Sequence, residues 1–331
     1  MLPESGRLTA AHFQLKETIA RKLAVNSDSI FLYQEFGSFL SGLFRGFSQS
    51  VSRIIVSAPY VPEIALSCDK ADIELVESAS NHFSENGFEE LKNQVKSKND
   101  IVYLSNPNRL TGASFSLAQI KSLAALVGEG LLIVDEYYHE FSRLSAISLL
   151  KSPNNLIILR TIENWGATQD SESGFAVVSE KISKNTECRF LADSMDRITA
   201  QKCLTTVLDA KSSVKDVEKI QTRSLLLAKE LNQAGVKCRL TPTDFILLQI
   251  SAGIDTGKMP ADENIRLDQM DNSTEKESFY RYRVTSTDKD FRFVEVLSGL
   301  LKSPSQALRK SRIDTAAAAL KGTAQIKPLI S

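Results

Sequence analysis

The sequence predicts an α/β fold, with a large domain built on a mostly parallel sheet and a small α+β domain after it. Three observations carry this. Short, continuously apolar runs recur through the first two thirds of the chain, helical patterns separate them, and the last third changes to the order helix, strands, helix. Strands that alternate with helices read as a parallel sheet covered on both faces, because a crossover between parallel strands needs a helix-sized connection.

The strand candidates are Ile30–Leu32, Arg53–Ser57 (RIIVS), Ile101–Ser105 (IVYLS), Leu131–Asp135 (LLIVD), Asn155–Arg160 (NLIILR) and Gly174–Ser179 (GFAVVS). Apart from the first, each is a continuous apolar run, as expected of strands buried on both faces. A first helix is expected over Thr9–Ala24. Within the alternation, Ser116–Gly128 (SLAQIKSLAALVG) sets Leu117, Ile120, Leu123 and Leu126 at helical spacing, with Ser116 as N-cap and Gly128 as the stop. From about Ala200 a long helical stretch leads to strands at Val236–Leu240, Phe245–Ile250 and Tyr280–Thr285 and a helix at Asp290–Lys302. At 331 residues the chain is long for one domain. The expected division is an N-terminal helix over 1–25, a large domain over 26–200, a small domain over 201–302 and a tail over 303–331. The tail carries Ala316–Ala319 and five basic residues from Lys302 to Lys321, and reads either as an extra amphipathic surface helix or as an end that frays beyond Gly322.

Composition removes several classes of function. With 40 basic and 40 acidic side chains the chain lacks the basic excess of a nucleic-acid binder. No apolar stretch is long enough to span a bilayer, and the first residues lack the layout of a signal peptide. Cys68, Cys188, Cys203 and Cys238 are scattered without a CxxC pair, which points to a reduced, cytoplasmic chain. No metal site is expected, since His12, His82 and His139 fall on separate elements and His139-Glu140 has no second histidine four residues on. The glycine fingerprints of dinucleotide and P-loop proteins and the GxSxG elbow are absent from the sequence.

Four segments concentrate the residues able to do chemistry. Tyr103–Gly112 reads YLSNPNRLTG, Ile133–Phe141 reads IVDEYYHEF, Asn155–Phe175 reads NLIILRTIENWGATQDSESGF, and Arg281–Phe293 reads RYRVTSTDKDFRF. With Ile30–Leu32 before them, they resemble, over most of the chain, the aminotransferases of the histidinol-phosphate family, which are fold-type-I enzymes dependent on pyridoxal phosphate (PLP). That family reads F-L-C-N-P-N-N-P-T-G, V-D-E-A-Y-x-E-F, L-R-T-F-S-K-A-F-G-L-A-G-L-R-x-G-Y and R-I-T-V-G-T-E-E-E-N-x-R-F at the matching places.

The resemblance implies roles by position. Asp135 would pair with the pyridine nitrogen and Tyr138 would reach the phenolic oxygen, while Arg109 stands where an asparagine faces that oxygen. Arg281 stands at the arginine for the substrate carboxylate, with Arg283 in that place if the register slips by two, so a small carboxylate is the implied ligand. Leu159, Arg160, Thr161, Gly174 and Phe175 fall into register, but Asn164 holds the position of the Schiff-base lysine and Glu172 that of a later arginine. No lysine lies between Lys151 and Lys181. An amide cannot form the Schiff base. Tyr33, Gln34, Glu35 and Phe36 replace the family's glycine loop for the phosphate, and Glu163 replaces the hydroxyl before the lysine. One lost charge-assisted hydrogen bond costs about 1.5–3 kcal/mol. A carboxylate about 4–6 Å from a phosphate adds roughly 3–4 kcal/mol of repulsion at an effective dielectric of about 20. The expectation is that no cofactor is held, with PLP at most a weak non-covalent ligand.

Each residue also has a plainer reading. Asp135 ends an apolar strand, where open α/β sheets bind ligands, and could equally cap the following turn. Tyr138 contacts a ligand or packs in the core with one hydrogen bond. Arg160 is expected to anchor a buried carboxylate or carbonyl, and Arg281 suits a carboxylate bidentately. Three readings follow, in order of preference. The chain is a homologue that has lost transamination and binds a ligand or partner; or it is a biosynthetic enzyme that reuses the cleft without PLP, with Glu163, Glu172, Asp135 and Tyr138 as acid/base groups; or it is an active aminotransferase with an atypical site. The family's N-terminal arm, which often supplies a tyrosine to the phosphate, is expected to be missing. Its site lies at a two-fold interface, which implies a homodimer or a heterodimer with an active paralogue.

Overall fold

A computed structural model describes residues 8–48, 50–51, 53–78, 87–152, 155–162, 172–184, 193–209, 211–251, 267–269 and 277–300. The predicted tail, Glu163 and Asn164 lie outside the described residues. Seven strands, β1 (Ile30–Tyr33), β2 (Arg53–Ser57), β3 (Glu74–Ser78), β4 (Ile101–Ser105), β5 (Leu131–Asp135), β6 (Leu156–Thr161) and β7 (Gly174–Val178), form one sheet in the order β1-β7-β6-β5-β4-β2-β3. Strand β7 runs antiparallel to both neighbours, and the remaining pairs are parallel. The edge strand β3 has no counterpart in the sequence reading, because ELVES has only two apolar residues flanked by polar ones where a central strand is continuously apolar.

The helices are α1 (Ala10–Leu23), α2 (Phe36–Phe47), α3 (Pro62–Ala71), α4 (Gly87–Gln94), α5 (Leu117–Val127), α6 (His139–Ser142), α7 (Glu180–Lys184), α8 (Arg197–Leu208), α9 (Lys211–Gln233) and α10 (Thr287–Leu300). Side chains alternate across a strand, so each apolar run feeds two cores. Leu132, Val134, Leu156 and Ile158 pack with Leu15 of α1, Leu91 of α4, Leu123 of α5 and Leu204 of α8. Ile133, Ile157, Leu159 and Tyr103 pack on the other face with Phe44 of α2, Ile64 of α3 and Ile182 of α7.

Helix α5 begins as predicted, with Ser116 Oγ accepting from the Gln119 N–H. Its buried stripe is Ile120, Leu123, Ala124 and Val127, whereas Leu126 is exposed. A repeat of three drifts off a helix face: nine residues from Leu117 to Leu126 turn through about 180° at 100° per residue. Two glycines are held by close approach. A Cβ on Gly174 would meet the Arg160 carbonyl at 2.2 Å and the Tyr33 hydroxyl at 2.4 Å, and Gly112 has φ +66° with Thr241 Cβ at 2.4 Å from where its own would stand.

The chain divides into two compact units, Met1–Thr222 with Thr241–Asp244, and Arg223–Leu240 with Phe245–Ser331. The division falls beyond Ala200 because α8 packs on α1 and belongs to the first unit. In the second unit β8 (Lys237–Leu240), β9 (Phe245–Ser251), β10 (Leu267–Gln269) and β11 (Glu277–Arg283) form an antiparallel sheet in the order β10-β11-β9-β8. Tyr282 of β11 stacks on Phe293 of α10 with centroids 3.8 Å apart, and its hydroxyl donates to Asp290.

Candidate functional site

The C-terminal ends of parallel strands are where an open α/β sheet leaves a crevice. Strand β5 ends there with Asp135, whose side chain is 0% exposed. Register pairs Ser105 with Asp135 across β4 and β5, which puts Tyr103 two residues back on the same face. The Tyr103 hydroxyl donates to Asp135 Oδ2 at 2.5 Å. Arg109 donates twice, Nε to Oδ2 at 2.6 Å and Nη2 to Oδ1 at 3.1 Å, and the Tyr137 N–H reaches Oδ1 at 3.1 Å. The guanidinium carbon of Arg109 lies 4.2 Å from the ring centroid of Phe36 and 4.2 Å from that of Tyr137. Asp135 thus faces a planar cation that also packs on two aromatic rings. Burial would lower the Arg109 pKa, but Asp135 and Tyr103 outweigh it and raise it, so the charge is held. Burial, then Asp135, pushes the Tyr103 hydroxyl up, which keeps it a donor.

The Asn-Pro-Asn turn explains how Arg109 is delivered. Asn106 accepts from the Phe115 N–H at 2.6 Å and donates to the Phe115 carbonyl at 3.2 Å. Asn108 Oδ1 accepts from the N–H groups of Leu110 and Thr111, both at 2.9 Å, and its amide donates to the Pro59 carbonyl at 2.9 Å. Two amide side chains therefore satisfy the loop's own backbone, an Asx-turn arrangement that fixes the Arg109 main chain. The Arg109 N–H is held by Ser105 Oγ at 3.1 Å.

The next residue, Glu136, points to the opposite face and meets a different arginine. Arg160 Nε and Nη2 lie 2.9 and 2.8 Å from Glu136 Oε2, and Ser145 and the Ala146 N–H complete the carboxylate. Burial raises the Glu136 pKa against the pull of Arg160. Arg160 thus anchors a buried carboxylate. Burial, with Arg160 nearby, drops His139 to about 4, so its Nδ1 3.9 Å from Glu136 is a contact of a neutral ring at pH 7.

The predicted site residues are placed as follows. Asp135 and Arg109 are brought together directly. Tyr138 is buried beside them in sequence, but its hydroxyl donates to Asp244 Oδ1 at 2.9 Å. Glu172 is exposed just before β7. Arg281 and Arg283 sit two apart on β11 of the second unit and so share a strand face, with Arg281 over the Phe245 ring at 5.4 Å. Glu163 and Asn164 are outside the described residues. Phe36, Tyr103, Tyr137 and Glu136 were missed. The signal for Tyr103 was a hydroxyl-bearing ring inside the apolar run IVYLS, and for Glu136 a second carboxylate directly after the end of β5. Among the described residues no group of histidine, cysteine and carboxylate side chains could hold a metal, and no helix is long and apolar enough to cross a membrane.

Comparison with known proteins gives this cleft a family. The family model Aminotransferase class I and II matches residues 6–254 of the 331. Histidinol-phosphate aminotransferase of Ruminiclostridium cellulolyticum is 21% identical over 248 residues, covering 73% of this chain and 69% of that protein. Among solved structures, L-threonine-O-3-phosphate decarboxylase from Porphyromonas gingivalis superposes with a TM-score of 0.71 at 16% identity, over 88% of this chain and 89% of its own. Histidinol-phosphate aminotransferase from Sinorhizobium meliloti, solved in complex with pyridoxal-5'-phosphate, superposes with a TM-score of 0.73 at 17% identity, over 89% and 82%. The expectation of no cofactor is thereby corrected. It rested on the altered lysine and phosphate positions, whereas the matching family model is that of the class I and II aminotransferases and a similar structure was solved with pyridoxal-5'-phosphate bound. The sheet, the Asp135 crevice and the matched span together make this chain a member of the class I and II aminotransferase family.

Proposed function

We propose that the chain has lost lysine-dependent transamination and holds PLP, or a related protonated pyridine, non-covalently against Asp135. One observation carries this reading: a planar cation stacked on Phe36 and Tyr137 is matched to a fully buried carboxylate. That combination of rings and carboxylate suits a protonated pyridine as it suits a guanidinium. PLP, when bound, supplies an electron-withdrawing ring that stabilises negative charge on a substrate carbon. The chain's own residues do the rest. Asp135 would hold the proton at the ring nitrogen, with its carboxylate oriented by the Tyr103 hydroxyl and the Tyr137 N–H, and Phe36 and Tyr137 would offer the ring the aromatic faces that now meet Arg109. Asn164, at the lysine position in sequence, offers an amide that neither attaches covalently nor takes a proton.

The test is a PLP titration of the purified protein by absorbance, followed by borohydride reduction and intact mass. Saturable binding without a stable adduct is expected, and Asn164→Lys alone should not restore transamination while Glu172 holds the arginine position. A stoichiometric adduct on the unaltered chain would instead show a lysine supplied from elsewhere and an active enzyme. We further propose a homodimer or a heterodimer with an active paralogue; light scattering that gives the mass of one chain, with no capture of a related chain, refutes both.

A further inference from the structure

We infer that Arg109 is a tethered occupant of the cleft, a cation that a ring ligand must displace to reach Asp135; this rests on the reading of the cleft proposed above. Three features support it. The guanidinium satisfies the two demands such a ring would satisfy, charge against Asp135 and a flat face against Phe36 and Tyr137. Its backbone is pinned by the Asn108 and Ser105 bonds, so displacement needs only side-chain torsions. Its side chain keeps 17% exposure beside a carboxylate that has none, which places Arg109 between Asp135 and solvent.

When Arg109 withdraws, Asp135 keeps the Tyr103 hydroxyl and the Tyr137 N–H but loses its countercharge. A neutral ring leaves that buried charge uncompensated, whereas a protonated ring nitrogen replaces it one for one. An arginine stays protonated across the accessible pH range, so release comes by exchange with a cationic ring and not by titration. The apparent affinity for PLP is then the intrinsic affinity reduced by the fraction of molecules in which Arg109 is out.

The experiment is a calorimetric PLP titration of the full chain and of Arg109→Asn. The variant should bind PLP about tenfold tighter or better, and low-millimolar guanidinium chloride, but not sodium chloride, should weaken PLP binding to the variant and raise its melting temperature. Equal affinities for the two proteins overturn the occupant and leave the cleft reading standing. No PLP binding by either protein overturns both. If the variant does not fold, the unaltered chain still decides: the Arg109 Nε–H resonance should be protected from exchange and lose that protection on saturation with PLP. A resonance that PLP leaves unmoved overturns the proposal.

Discussion

Asp135 and Glu136 are neighbours in sequence, both buried, and each is paired with an arginine, yet they build opposite kinds of site. Glu136 is held by Arg160 from the adjacent strand β6, with 1% and 2% of the two side chains exposed, and Ser145 and the Ala146 N–H donate to its two oxygens as well. Asp135 is held by an arginine that comes from a loop and keeps one side toward solvent. The same charge pair is therefore structural where both partners are rooted in the sheet. It is exchangeable where one partner is rooted in a turn.

The largest expected effect is at the closed pair. Arg160→Leu leaves Glu136 as an uncompensated buried charge and should cost about 3–5 kcal/mol in urea unfolding, with the Glu136→Gln, Arg160→Leu double variant recovering part of it. A loss comparable to that of a surface ion pair would break the comparison.

His139, packed against the same pair, sharpens it through pH. Its pKa falls from an ordinary value of 6.5 to about 4 in the folded chain. The folded state therefore favours the neutral ring, and its contribution is present above pH 6.5 and lost as pH falls toward 4. The full loss is on the order of 3 kcal/mol. Glu136, whose pKa is raised, titrates in the opposite sense, so the measurement is the difference between the unaltered chain and His139→Gln across that window. A difference that does not change with pH would remove the buried neutral ring.

At the open pair, Arg109→Asn should cost only about 1–3 kcal/mol, since solvent reaches Asp135 once the side chain is gone. A cost equal to that of Arg160→Leu would mean that both pairs are locked. The smallest effect calibrates the scale: Ser116→Ala removes the exposed N-cap of α5 and should cost about 1 kcal/mol by the same assay.

The legible part of this protein is the part governed by local pattern. The runs RIIVS, IVYLS, LLIVD and NLIILR became β2, β4, β5 and β6 because a strand buried on both faces must be apolar at every position. The Ser116 cap was legible because its bond spans three residues. Helix α2 carries the same kind of local signal, with Phe36, Phe39, Leu40, Leu43 and Phe44 spaced onto one buried face.

By itself the sequence determined the alternation of strands and helices, the acidic end of β5 and the Ser116 cap, all legible in the pattern of neighbouring residues. Only the tertiary structure decided that Arg109 turns inward onto Asp135, that Tyr138 spends its hydroxyl on Asp244 more than a hundred residues away, and that Glu136 belongs to Arg160. The reason is physical. A buried charge takes whichever partner the strand order and the loop closures bring within hydrogen-bond reach, and neither is written in the spacing of residues along the chain.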